Sequence, residues 1–249
     1  MARFTDKRFL ITGGTSGFGL EAAKMIVAEG GHIAVTGMSE NHLDEARKAL
    51  PDDALVLKND ASDPEAAKQL AMSVRDKFDA LDGLWLNAGY GKFGPNDEND
   101  AEFFDKMMNT NVRGPVLQMA ELMADIADGG AVLLTSSVAP YLGQAQGAVY
   151  AATKAACLAL ARSWSSALAD RKIRVNSVAP GPIDTNFMSG MGLSDEQKEQ
   201  FMEQIQQQVP LGRFGESREV AEVALFLLSE QASYVTGSEY FVDGGMTKR

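Results

Sequence analysis

Residues 7–19 read KRFLITGGTSGFG. A short apolar run, Phe9-Leu10-Ile11, enters a turn built from Gly13, Gly14, Thr15, Ser16 and Gly17, and an amphipathic stretch begins beyond it. This pattern predicts a strand over 7–12, a sharp turn and a helix over 17–30 that ends near Gly30-Gly31. Glycine lets a backbone turn tightly and lets a ligand approach with no side chain in the way. The first N–H groups of a helix have no partner within it and favour a negative charge such as a pyrophosphate. Gly13, Thr15, Ser16, Gly17, Phe18 and Gly19 are therefore the candidate phosphate-binding residues. The turn is not a Walker-type loop, because no Gly-Lys-Ser/Thr follows it.

The same alternation continues outward along the chain. Strands are expected at 32–37, 54–58, 83–88, 131–136, 173–179 and 239–243. Helices are expected at 40–50 (stopped by Pro51), 63–78 (Asp63 as N-cap, Pro64 in the first turn), 101–126, 149–170 and 217–229. The strands are apolar almost throughout, as when both faces of a sheet are covered. The expected fold is α/β: a doubly wound, Rossmann-type parallel sheet with helices on both faces, in a single domain over 1–249. Residues 183–210 stand apart, with Gly190, Gly192 and a Gln-rich helical run, and read as a substrate lid.

Composition narrows the function. The net charge of −11 comes with no basic block, which argues against nucleic acid and mildly against docking on an acidic carrier protein. No stretch approaches the roughly 18–20 apolar residues of a membrane span. The opening MARFTDKRFLIT reads as a first strand rather than a secretory signal. A single cysteine, Cys157, suits a reducing, cytoplasmic setting, and its place in AACLALA reads as a buried apolar position. His32 and His42 have no ligand-spaced companions, so no metal site is expected.

The end of the second strand meets the adenosine ribose in folds of this class. Here it reads Thr36-Gly37-Met38-Ser39, with no acid at the tip. A carboxylate there repels a 2′-phosphate, so its absence favours NADP(H), while the lack of a neighbouring Arg leaves NAD(H) open. Met38 and Ser39 are the residues expected at that ribose. Asp60, with Ala61 beside it, follows the third strand and can accept from an adenine amino group or cap its own loop.

Tyr150 and Lys154 lie four apart on an expected helix and share a face. An ammonium beside a phenol stabilises the phenolate, so the pair can give a proton to an alkoxide or take one from an alcohol. Ser137 ends the fifth strand, thirteen residues before Tyr150, and can hold the substrate oxygen. Alone, a Tyr-x-x-x-Lys pair is usually a solvated helix face. The upstream glycine turn and Ser137 change that reading.

Taken in order, these segments resemble the compact short-chain dehydrogenase/reductases over essentially the whole chain. The TGxxxGxG loop appears as Thr12-Gly13 through Gly17 and Gly19, the Asn-Ala-Gly segment as Asn87-Ala88-Gly89, and the helix asparagine as Asn111. The catalytic group appears as Ser137, Tyr150 and Lys154, and the late segment as Pro180-Gly181 with Ile183 and Thr185 following. The resemblance implies that Lys154 also binds the nicotinamide ribose, that Asn111 helps hold a water in a proton relay, and that Asn87, Ala88 and Gly89 line the cofactor cleft. It implies that Ile183 and Thr185 orient the carboxamide. Leu86 and Met38 depart from the pattern, where many relatives carry Asn and, among NADP users, Arg.

The expected substrate is a small to medium hydrophobic ketone or secondary alcohol. Its expected walls are Ala139, Tyr141, Tyr90, Phe93, Pro182, Phe187, Met188 and Met191, with Gln144 and Gln146 nearby. Lys92 reads as a solvated loop lysine, although it can counter a carboxylate. A 3-oxoacyl-carrier-protein or sugar-alcohol enzyme is the alternative. A non-catalytic dinucleotide sensor needs none of Ser137, Tyr150 and Lys154, and the Tyr-x-x-x-Lys pair disfavours a methyltransferase. The apolar helices 101–126 and 149–170 suggest self-association, and the resemblance implies a homotetramer.

Overall fold

The computed structural model describes residues 2–185 and 195–248. Seven parallel strands form one sheet: β1 (Arg8–Ile11), β2 (His32–Gly37), β3 (Leu55–Lys58), β4 (Leu81–Leu86), β5 (Ile126–Thr135), β6 (Arg174–Pro180) and β9 (Glu239–Val242). Their order is β3-β2-β1-β4-β5-β6-β9. The chain winds outward from β1 to β3, then returns to β4 on the other side of β1. A crevice opens at the carboxyl ends of the strands where the order reverses. A second, two-stranded parallel pair joins β7 (Ile183–Asp184) to β8 (Gly215–Glu216).

Successive strand residues point to opposite faces and feed two cores. Phe9, Ile11, Val35, Trp85, Leu133 and Val178 pack against α1 (Gly17–Ala28) and α9 (Ser217–Leu228). Leu10, Ala34, Leu84, Val132 and Val175 pack on the other side against α3 (Pro64–Lys77), α5 (Gly114–Leu122) and α7 (Ala148–Ala167). Both faces are covered, which is why the strands carry so few polar residues.

Local signals hold where side chains cap the backbone. The Asp63 carboxylate accepts from Glu65 N–H at 3.0 Å, with Pro64 in the first turn of α3. Helix α2 (Glu40–Ala49) begins at its N-cap Ser39 and stops before Pro51.

The expected helix over 101–126 is instead two helices. α4 (Ala101–Met108) passes through a π turn (Asn109–Arg113) into α5, and a 3₁₀ turn (Met123–Asp125) follows. Pro115 stands four residues after Asn111 and has no N–H to donate back to it, so an α-helical bond is missing there. The Cys157 thiol donates to the Asn111 carbonyl instead, at 3.3 Å. Strand β5 also starts five residues earlier than expected, at Ile126, and its pairing with β4 shifts register between Leu81 and Gly83. The expected lid contains β7 and α8 (Asp195–Gln206).

Candidate active site

The crevice at the strand ends has a volume of about 1040 Å³. Of the residues expected at a cofactor, Gly13, Thr15, Ser16, Gly17, Phe18, Gly19, Met38, Ser39, Asp60, Ala61, Asn87, Ala88, Gly89, Pro180, Gly181, Ile183 and Thr185 all line it. So do Ser137, Tyr150 and Lys154. Asn111 does not.

The glycine turn fits closely around its neighbours. Gly13 adopts φ +64°, and a Cβ there would lie 2.8 Å from the Ala88 Cα. A Cβ on Gly37, at the end of β2, would lie 2.0 Å from the Thr15 hydroxyl oxygen. Side chains at these positions would fill the cradle or displace its walls. Helix α1 starts at Ser16, with no side-chain cap and no acid in its first turn, so its N-terminal N–H groups face no competing anion within the helix. The cradle therefore fits a pyrophosphate.

One hydrogen-bond chain ties this loop to the far side of the crevice. The Trp85 indole N–H donates to the Thr135 hydroxyl at 2.9 Å, and that hydroxyl donates to Asn87 Oδ1 at 2.9 Å. Asn87 Nδ2 donates to the Gly13 carbonyl at 3.2 Å, and the Asn87 and Ala88 N–H groups both reach the Thr12 hydroxyl. The strand-end loops of β1, β4 and β5 are thereby locked together around the crevice.

Lys154 sits on α7, almost wholly buried, and donates to the Thr135 carbonyl at 2.9 Å. Its ammonium lies 5.8 Å from the centroid of the Tyr150 ring. The Tyr150 ring also meets Phe93, with centroids 5.2 Å apart. Ser137 is buried at the end of β5, and its hydroxyl oxygen accepts from Ala139 N–H at 3.2 Å. A hydroxyl, a phenol and an ammonium thus line the same crevice. Such a set can orient a carbonyl or hydroxyl oxygen and exchange a proton with it.

Asn111 is buried in the π turn. Its Oδ1 accepts from Tyr90 N–H at 2.7 Å, and its Nδ2 donates to the Tyr90 carbonyl and the Thr153 hydroxyl. The side chain therefore fixes the loop after Gly89 to α7. Asp60 does cap its own loop, accepting from Ser62 N–H and Oγ while also lining the crevice.

The expected substrate walls divide. Tyr90, Phe93, Ala139, Pro182, Gln144 and Gln146 line the crevice, together with Val138, Leu142, Ile205, Phe214 and Met246. Tyr141 does not. It turns outward onto Glu239 and Phe241, because α6 (Ala139–Leu142) rotates it off the crevice side. Lys92 also points elsewhere, lying 5.5 Å from the Phe103 ring centroid. Phe187, Met188 and Met191 lie outside the described residues. Among the described residues, no cluster of three or more His, Cys, Asp or Glu is placed to hold a metal ion, and no helix is long and apolar enough to cross a membrane.

Thr135 and Pro115 were outside the expected site. Thr135 gained its role only when β4, β5 and α7 met in space, and no local pattern marks it. Pro115 was legible as a break within a helical run.

The family described as Enoyl-(Acyl carrier protein) reductase matches residues 13–247. Levodione reductase of Leifsonia aquatica is 33% identical over 255 residues, covering 98% of this chain and 96% of that protein. The chain belongs to the short-chain dehydrogenase/reductase family. It is an oxidoreductase that transfers a hydride between NAD(P)(H) and a carbonyl or alcohol. Within the short-chain dehydrogenase/reductases, the 3-oxoacyl-[acyl-carrier-protein] reductase FabG of Thermotoga maritima is 34% identical, covering 98% of this chain and 99% of that one. The crystal structure of levodione reductase superposes with a TM-score of 0.91 at 34% identity, covering 99% of each chain. The crystal structure of a blue fluorescent protein from a metagenomic library, in complex with NADPH, gives 0.89 at 29% identity, covering 98% of this chain and 99% of that one.

Proposed function

We propose that this short-chain dehydrogenase/reductase acts on a small to medium hydrophobic ketone or the matching secondary alcohol, with NADP(H) preferred over NAD(H). The observation that carries the reading is that Ser137, Tyr150 and Lys154 line one crevice together with the apolar Phe93, Val138, Ala139, Leu142 and Met246. When bound, the nicotinamide supplies or accepts the hydride. Ser137 holds the substrate oxygen, and the Tyr150 hydroxyl gives its proton to the developing alkoxide, or takes one in the reverse direction. Lys154, held by Thr135, keeps positive charge beside that phenol and binds the nicotinamide ribose. Asn111 holds the loop after Gly89 on α7 and helps keep a relay water behind Lys154. Ile183 and Thr185 orient the carboxamide. Positioning of this kind supplies several kcal/mol of barrier reduction, roughly up to 7–11 where reactants are held in near-attack geometry.

The cofactor preference rests on the end of β2. Gly37, Met38 and Ser39 put no carboxylate there, and the Asp60 carboxylate is engaged by Ser62. A 2′-phosphate meets no acid at that tip. The NADPH complex of the metagenomic relative supports this choice.

Residues 183–210 act as the lid, with Ile205 contributing to the crevice wall. The chain assembles as a homotetramer in the cytoplasm, and the exposed Phe104 and Val116 on α4 and α5 support packing of those helices against a second copy. Reading kcat/KM over a panel of free ketones, sugars and carrier-bound 3-oxoacyl thioesters, each with NADPH and NADH, tests the function. Fast turnover of hydrophobic ketones such as levodione with NADPH is expected. Turnover confined to thioesters or sugars would overturn the substrate class.

A further inference from the structure

Ser137 stands in the turn between β5 and α6, and that turn is held from outside the crevice. Ser136 N–H donates to the Val178 carbonyl at 2.9 Å, and Val138 N–H donates to the Pro180 carbonyl at 3.2 Å. These two bonds fix the backbone against β6. The side chains on either side of Ser137 have a different anchor. Ser136 Oγ lies 2.5 Å from Glu239 Oε1, and 3.0 Å from the Val178 carbonyl. The Tyr141 hydroxyl donates to Glu239 Oε2.

Glu239 opens β9, the last strand, 103 residues after Ser136. Phe241, two residues on and therefore on the same side of β9, packs edge-on against the Tyr141 ring with centroids 5.0 Å apart and planes at 70°. Partial burial of the phenol and its bond to the Glu239 carboxylate push the Tyr141 pKa up to about 12, so the hydroxyl is a donor at neutral pH. Tyr141 is thus no substrate wall but one end of a bracket.

We propose that Glu239 is a positioning residue for the reaction: its two carboxylate oxygens grip Ser136 and Tyr141 and so set the turn that aims the Ser137 hydroxyl at the substrate oxygen. This inference rests on the reading of Ser137 as the partner of that oxygen. It also gives the edge strand a task on the substrate side of the crevice, beside its hold on the cofactor-lining Gly181, whose N–H donates to the Val242 carbonyl at 2.9 Å. The glycine turn hangs from β1 and is tied to the loop after β4, where Asn87 Nδ2 donates to the Gly13 carbonyl and Ala88 N–H to the Thr12 hydroxyl.

The test uses four variants of the full chain: Glu239→Ala, Glu239→Gln, Tyr141→Phe and Ser137→Ala. The reactant is levodione, or the panel ketone that the unaltered chain reduces fastest. The readouts are kcat/KM for the ketone, NADPH Kd from fluorescence, and the melting temperature. Glu239→Ala and Tyr141→Phe should lower kcat/KM by on the order of tenfold, a loss of transition-state stabilisation. NADPH Kd should stay within about twofold, since the lost bonds lie away from the cofactor cradle. Glu239→Gln, which can still accept from Ser136 and donate to Tyr141, should restore most of the rate. Unaltered kcat/KM in Glu239→Ala, or in Tyr141→Phe if the alanine variant does not fold, overturns the bracket. A parallel loss of Kd and rate also overturns it, in favour of a plain structural role. Full activity in Ser137→Ala is a separate failure, of the reading of Ser137 itself.

Discussion

The Lys154 ammonium donates to the Thr135 carbonyl at 2.9 Å, from a position almost closed to solvent. A lysine stem is flexible, and this bond is what fixes its charge beside Tyr150. The same Thr135 uses its hydroxyl to hold Asn87, so one residue registers this cation against the Asn87 loop across the crevice. Lys154→Met keeps the length and apolar body of the stem and removes the charge. Activity should fall by roughly 10²–10⁴-fold, the range of a lost acid–base group. NADPH KM should rise as well, because the ribose loses a donor. Steady-state kinetics beside a thermal melt check this, and a folded variant with unchanged kcat would contradict it.

Cofactor choice is open to a single exposed position. Met38 lines the crevice with 52% of its surface exposed, so a charged side chain fits there without burial. Met38→Arg should raise the kcat/KM ratio of NADPH over NADH by about tenfold, on the order of 1.4 kcal/mol. Met38→Asp should shift the ratio toward NADH by a similar factor, through repulsion of the 2′-phosphate. Equal ratios in all three proteins would remove the β2 tip from cofactor selection.

Cys157 should behave as an inert thiol. Burial pushes its pKa up, against the opposing influence of Lys154, and the neutral thiol donates to the Asn111 carbonyl. The thiolate is the reactive form, so a raised pKa means little reaction at neutral pH. Ellman's reagent at pH 7.5 should leave the native chain unmodified, while the unfolded chain should release one equivalent. Rapid labelling of the native chain, with loss of activity, would place the thiol in a more open setting than the structure describes.

The sequence carried those parts of the fold that depend on neighbours along the chain. The glycine turn, Asp63 capping α3, and the apolar strands all report local geometry or two-sided burial; the turn and the cap stand where their pattern put them, while β4 and β5 begin two and five residues early. Gly13 and Ser137 were legible for the same reason, since strand ends collect ligands in a parallel sheet, whereas Asn87 and Pro180 were legible only through the family resemblance. The path of Tyr141 was not legible. Its direction depends on the unexpected short helix α6 and on Glu239, which approaches from the far end of the chain. The break at Pro115 was written in the sequence, but the apolar periodicity on both sides of it imitates one continuous helix.

The proposed proton exchange rests on the phenol of Tyr150, and Tyr150→Phe removes that hydroxyl while leaving the ring against Phe93. The measurement is kcat for ketone reduction together with NADPH Kd on the same folded protein. Turnover should drop by about 10³-fold or more, toward the upper end of what a proton-transfer group supplies, with Kd within roughly twofold of the original. A phenylalanine variant that turns over at the original rate would contradict it.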